Sequence, residues 1–366
     1  MGKETKRTYA SFTEWKEKSK QTEYTAETPL LDKDGNLLAK GWARHNYFTY
    51  DRKLSKPSMR KKEWDFYQIV NDRYLAQISF ANISLGGYVG AKLVDWRNGE
   101  IIVDAMAIFI GGKNRYTLPP KGDVPNNIKY SFGNAEFEFD TKETSRTLYF
   151  KGVYKGKPVE CNFSMDIMPN LENITTVLPF KDKPTRYFMT TKQNCMPCSG
   201  TFKFGDKVVE FSKEDTFCAL DWGRVNTPYQ LVWYWGNGAQ KIKDEDGTEH
   251  TVGFEITWGI GDESYATETA IFYDGKLHKF GAVDVEKFPK TNGFMNEWKF
   301  VSEDGRFDMT MKPFFDNHSD TNVLNLLRMH THQLHGIWNG TVTLDDGKKI
   351  EIKDMYAFCE YCENKW

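Results

Sequence analysis

Apolar and polar positions alternate along this chain in runs of strand length, most regularly from Lys62 onward. The runs KEWDFYQIVND, RYLAQISFANIS, GGYVGAKLVDW and EIIVDAMAIFI follow one another, with turn residues at Asn71-Asp72, Gly86-Gly87 and Asn98-Gly99. Period-two patterning between such turns predicts a meander of antiparallel strands. Further strands are expected over 128–132, 135–140, 147–154 and 159–168, separated by Gly133-Asn134 and Gly156. After an irregular stretch over 170–183 the pattern restarts at Tyr187 and runs with few breaks to the C-terminus. Asp320–Met329, DTNVLNLLRM, reads as a short helix with Asp320 as its N-cap.

The restart places a domain junction near Lys183, at Pro184, and divides the chain into an N-terminal polar arm (1–27), a first barrel (28–183) and a second barrel (184–366). Tightly connected strands in comparable number on each side suit two antiparallel β-barrels, which remove sheet edges by closure. The fold class expected is all-β: two up-and-down antiparallel β-barrel domains with few short helices.

Composition sharpens this. Aromatic residues make up 15% of the 366 residues, with 26 Phe, 18 Tyr and 11 Trp, and aromatics favour strands. A formal net charge of −2, with both signs interspersed, excludes the concentrated basic face of a nucleic-acid groove. No apolar run reaches membrane-span or signal-peptide length, so the expectation is a cytoplasmic protein without nucleic-acid or membrane partners.

The densest chemistry lies in 217–238, FCALDWGRVNTPYQLVWYWGNG. In a strand, Tyr229, Leu231, Trp233 and Trp235 share one face. An acid and a guanidinium, Asp221 and Arg224, just upstream of that aromatic wall suit a pocket for a flat or apolar ligand. The competing reading is a packed core strand with Asp221 and Arg224 paired to each other.

Several segments carry a resemblance. Gly41-Trp42-Ala43-Arg44, KEWDFYQ from Lys62, NCMPCSG from Asn194, LDWGR from Leu220, HQLHGIWNG from His332 and the terminal ENKW look like the domain of unknown function 2804 family, which brings no established activity. More remotely, Trp222-Gly223 followed by Trp233-Tyr234-Trp235-Gly236 is similar to the Asp-His-Asn-Trp-Gly and Trp-Tyr-Trp-Gly segments of lipocalin-like carotenoid hydratases and related cyclases. That resemblance implies two lipocalin-type barrels. Asp221 falls on the Asn of the hydratase motif, and Ala219 and Leu220 stand where its Asp and His would be, so no catalytic acid is carried over.

The functional expectation is a cofactor-independent hydratase, isomerase or cyclase acting on an unsaturated hydrophobic molecule, with Asp221, Arg224, His332 and Glu268 as catalytic candidates. Trp222, Tyr229, Trp233, Trp235, Trp258, Gln333 and Trp338 are the ligand-binding candidates. The alternatives are a carrier of a lipid, isoprenoid or aromatic metabolite, and a glycan-active enzyme using paired carboxylates. The partner expected is a small hydrophobic or aromatic ligand, and neither a cofactor nor a metal is assigned. His330, His332 and His335, with Glu360, form a candidate metal cluster lacking an evident third ligand, since His-x-His puts only two imidazoles on one strand face. Cys195-x-x-Cys198 and Cys359-x-x-Cys362 are far apart in sequence and read as reduced apolar fillers rather than as a four-thiolate zinc site.

Overall fold

The computed structural model describes residues 15, 16, 18–111, 115–181, 183–285, 292–324 and 327–365. Two large antiparallel sheets dominate it, and both expected barrel-like domains are present, one nearly closed and one a half-barrel. The first sheet runs, in spatial order, through Glu100–Ile110, Gly86–Asp95, Tyr74–Asn82, Lys61–Val70, Phe217–Asn226, Lys183–Phe204, Lys157–Asp166, Ser145–Tyr154, Ala135–Thr141 and Asn126–Phe132. It curls until its two end strands approach, bringing the rings of Phe109 and Phe132 to 5.0 Å. The second sheet runs through Lys276–Lys279, Glu268–Tyr273, Glu249–Trp258, Gln230–Lys243, Lys349–Lys365, Leu327–Thr343, Phe307–Val323, Trp298–Ser302 and Val283–Val285.

Each barrel is filled by its own aromatic core. Phe80, Phe137 and Phe139 are buried in the first, and Phe254, Phe300 and Trp338 in the second, where Tyr234 stacks on Trp258 at 4.5 Å. Strands at the junction of the barrels are buried on both faces. In Phe217–Asn226, Cys218, Leu220 and Trp222 point into the first barrel, while Phe217, Ala219, Asp221 and Val225 point toward the second sheet. Strand alternation therefore sorts residues between a barrel core and a shared interface.

Several expectations are corrected here. The change of sheet comes between Asn226 and Gln230, not near Lys183, because Lys183–Phe204 and Phe217–Asn226 are interior strands of the first sheet. The restart in the pattern at Lys183 is the beginning of a 22-residue strand, and Pro184 is tolerated at its first positions; Asp182 lies outside the described residues. A bulge at Cys195, with φ 62, bends this strand so that its first part pairs with Phe217–Asn226 and its second with Lys157–Asp166.

The helix expected over 320–329 is instead the tip of a hairpin between Phe307–Val323 and Leu327–Thr343, with residues 325–326 outside the described set. Asp320 pairs with Arg328 across the hairpin, at 3.1 Å, and does not cap a helix. Among the described residues, Ser58–Arg60 forms a 3-10 turn. Residues 1–14 of the expected arm lie outside the described residues. From Trp15 onward the arm is docked, with Trp15 buried beside Ala282, Lys20 N–H donating to Ser264 O, and Gln21 Nε2 donating to Glu263 O. Among the described residues no helix is long and apolar enough to cross a membrane.

Candidate functional site

Where the outer faces of the two sheets meet, a cavity of about 290 Å³ remains. Its walls follow from strand parity. Lys62, Trp64 and Phe66 come from one strand of the first sheet, and Asp221 and Val225 from its neighbour; Leu231, Trp233 and Trp235, with Glu360 and Cys362, come from paired strands of the second. Trp64, Phe66, Tyr88, Phe188, Trp233 and Trp235 put rings on its walls, interspersed with aliphatic and polar side chains, a mixture that suits a small-molecule site. Gly223 makes room for one of them: a Cβ there would lie 2.1 Å from Cζ2 of Trp64.

The polar groups centre on Lys192, which is buried. Its Nζ lies 2.7 Å from Asp221 Oδ1, 3.8 Å from Glu268 Oε2 and 4.0 Å from the centroid of the Trp235 ring. Burial opposes its charge, but the carboxylates of Asp221, Glu268 and Glu255 outweigh burial and hold its pKa above the ordinary lysine value. Glu268 is held by the hydroxyls of Thr190 and Thr176.

Glu255 stands behind Trp235 and accepts its indole N–H at 2.8 Å. Burial pushes the Glu255 carboxyl well above the usual range, and Lys192 only partly offsets this. Glu360 sits on the cavity wall, accepting from Trp233 Nε1 at 2.9 Å and Gln333 Nε2 at 3.1 Å. Burial raises its pKa; the two N–H donors pull the other way, and Asp221 adds to the rise. Burial thus raises the carboxyl pKa of both Glu255 and Glu360, while Asp221 and Glu268 stand beside the Lys192 ammonium. Elsewhere on the wall, Lys62 donates to Thr227 Oγ1 at 2.7 Å, and burial lowers its pKa to about 7, with help from Arg60 and Arg186.

Of the residues expected from sequence, Asp221, Glu268, Trp233, Trp235 and Gln333 converge on this cavity. The others do not join them. Arg224 and Trp222 point into the first barrel, where Arg224 Nη2 meets Asp65 Oδ1 at 2.9 Å and its other nitrogens donate to the carbonyls of Trp64, Gly223 and Pro119. The pairing of Asp221 with Arg224 is thus replaced by Asp221–Lys192 and Asp65–Arg224. Trp258 and Trp338 belong to the second core, and Tyr229 lies on the surface beneath the Arg60 guanidinium. His332 faces the side of its strand opposite Gln333 and bonds Asp316.

Reading 217–238 as the centre missed Lys192, Glu255 and Lys62. A parity count offers the signal: Lys192 lies four residues after Phe188 and two after Thr190, all on the interface face. The CxxC pairs are not brought together. Cys195 packs at the interface and Cys198 in the first core, Cys359 in the second core and Cys362 on the cavity wall. The described cysteines are all buried free thiols.

The family model for a domain of unknown function, DUF2804, matches residues 21–366. No curated protein matches the sequence at a significant level. Among solved structures, a Nitrosomonas europaea protein described as a candidate AttH is similar at 11% identity, with a TM-score of 0.44, over 83% of this chain and 92% of its own. Kievitone hydratase from Nectria haematococca is similar at 10% identity, with a TM-score of 0.47, over 83% of this chain and 88% of its own.

Proposed function

The chain belongs to the domain of unknown function 2804 family, and as that membership brings no activity with it, we propose from the cavity itself that the protein transfers a proton to an unsaturated, largely apolar small molecule held between its two sheets. The observation that carries the reading is Glu360: a buried carboxyl on an aromatic wall, with a raised pKa, fixed by Trp233 and Gln333. A carboxyl of this kind holds its proton to higher pH than a surface glutamate and is positioned to give it to a ligand double bond. The faces of Trp233, Trp235 and Trp64 would stabilise the positive charge that develops on carbon.

In hydration, the Glu360 proton goes to one carbon of the double bond. Water adds its oxygen to the other carbon, the proton released by that water passes to the Asp221 carboxylate beside Lys192, and return of one proton from Asp221 to Glu360 by way of solvent restores the starting state. In isomerisation or cyclisation the second proton leaves carbon instead, and the balance is the same. No cofactor enters either sequence. Arg224 and His332, catalytic candidates on sequence grounds, have no part in it, because their side chains lie on other faces.

The test begins with native mass spectrometry of protein purified from its own cells, which identifies the retained molecule. Incubating that molecule with enzyme in D2O should place deuterium on carbon with the native chain and not with Glu360→Gln. A ligand that is retained but never labelled makes the protein a carrier and removes the acid role of Glu360.

A further inference from the structure

Away from the cavity, the hairpin formed by Phe307–Val323 and Leu327–Thr343 brings together three imidazoles that no step above uses. Register pairs His318 with His332 and Asp320 with His330, so His318, His330 and His332 share one face of the hairpin. One nitrogen from each ring lies within 4.8 Å of the others. His335, expected from sequence to be part of a cluster with His330 and His332, is on the opposite face, and Glu360 is on the cavity wall; the third histidine comes from the neighbouring strand.

Two further details mark this face as a place for a cation. His332 Nδ1 is 2.7 Å from Asp316 Oδ2, a carboxylate–imidazole contact of the kind that orients metal-binding histidines through their second ring nitrogen. His330 Nδ1 is buried and has no hydrogen-bond partner among the described residues.

We propose that His318, His330 and His332 form a zinc site of three imidazoles, with Asp316 orienting His332 and a fourth position open to water or an anionic ligand. Three nitrogen ligands with one open position are a normal set for Zn²⁺. Tetrahedral coordination with Zn–N near 2.0–2.1 Å needs nitrogens about 3.3 Å apart, so the cluster must contract by about 1.5 Å. The contraction falls to His318. It is the exposed member, and its ring lies nearly parallel to that of His332, with centroids at 4.1 Å, so it must rotate out of that stack to aim at the same ion. His332 is held in place by Phe294, stacked on it at 3.8 Å, and by Asp316.

The experiment is calorimetric titration of Zn²⁺ into the full chain after chelation and dialysis, repeated with Co²⁺ for its visible spectrum. The native chain should take up one equivalent and give the intense bands of tetrahedral Co²⁺. His318→Gln, a surface change that leaves the fold intact, should weaken binding at least tenfold, and Asp316→Asn by about 10–100-fold. His250→Gln, which alters the separate His250–Asp274–Asp244 cluster, should change nothing. Absence of stoichiometric uptake, or uptake that His318→Gln and Asp316→Asn leave unchanged, overturns the site.

Discussion

Asp221 and Arg224 are three residues apart in one strand, and that spacing sends them to opposite sides of it. Each then finds its own buried partner. Lys192 gives Asp221 a role at the cavity, whereas Arg224 is part of the first core, where it compensates Asp65. Burial drives the Asp65 pKa up and Arg224 draws it back down. Replacing Arg224 by Met would leave that carboxyl buried without its cation, and a loss of about 3–5 kcal/mol is expected in urea denaturation. A loss below about 1 kcal/mol would mean that Asp65 simply takes up a proton and the pair contributes little.

Element boundaries and strand faces were not equally legible in the sequence. The meander from Lys62 to Ile110 was clear because turn residues bracket each period-two run. The aromatic wall of Leu231, Trp233 and Trp235 was clear because parity alone puts those residues together. What sequence does not reveal is which face of a doubly buried strand meets the barrel core and which meets the other sheet, since both are apolar. Trp222 and Trp258, ligand-binding candidates by sequence, lie instead in the two cores. Lys192 was hidden inside a long strand whose start looked like a domain junction. Leu and Asn residues near the tip of the hairpin over 320–329 imitate helical spacing, while the partners of Asp320 and His330 are set by cross-strand register.

On the scale of the whole molecule, the interface between the sheets holds both the cavity and a second, fully buried contact built on His335. That ring is fully buried beside Trp96, Phe315 and Phe358, and neither nitrogen has a hydrogen-bond partner among the described residues. Burial, aided by Lys92, lowers its pKa from 6.5 to about 3. A histidine depressed in the folded state contributes stability that is present above its unfolded pKa and is lost as pH falls toward the folded one. Between pH 6.5 and about 3 the native chain should therefore lose about 1.4 kcal/mol per pH unit from this group. His335→Leu should remove that loss. Melting curves at pH 7 and pH 4 are expected to show the variant gaining on the native protein at the acid end, and a difference independent of pH would show that His335 is not held neutral.

A ligand is expected in the space between the sheets, not in the interior of either barrel. A crystal structure of the protein with the molecule it retains from its own cells tests this most directly. The expected result is density enclosed by Trp64, Trp233 and Trp235, with a double bond beside the Glu360 carboxyl and Lys192 still paired to Asp221. Density inside either barrel core, or a ligand on the outer surface with the interface cavity closed over by its own side chains, would contradict it.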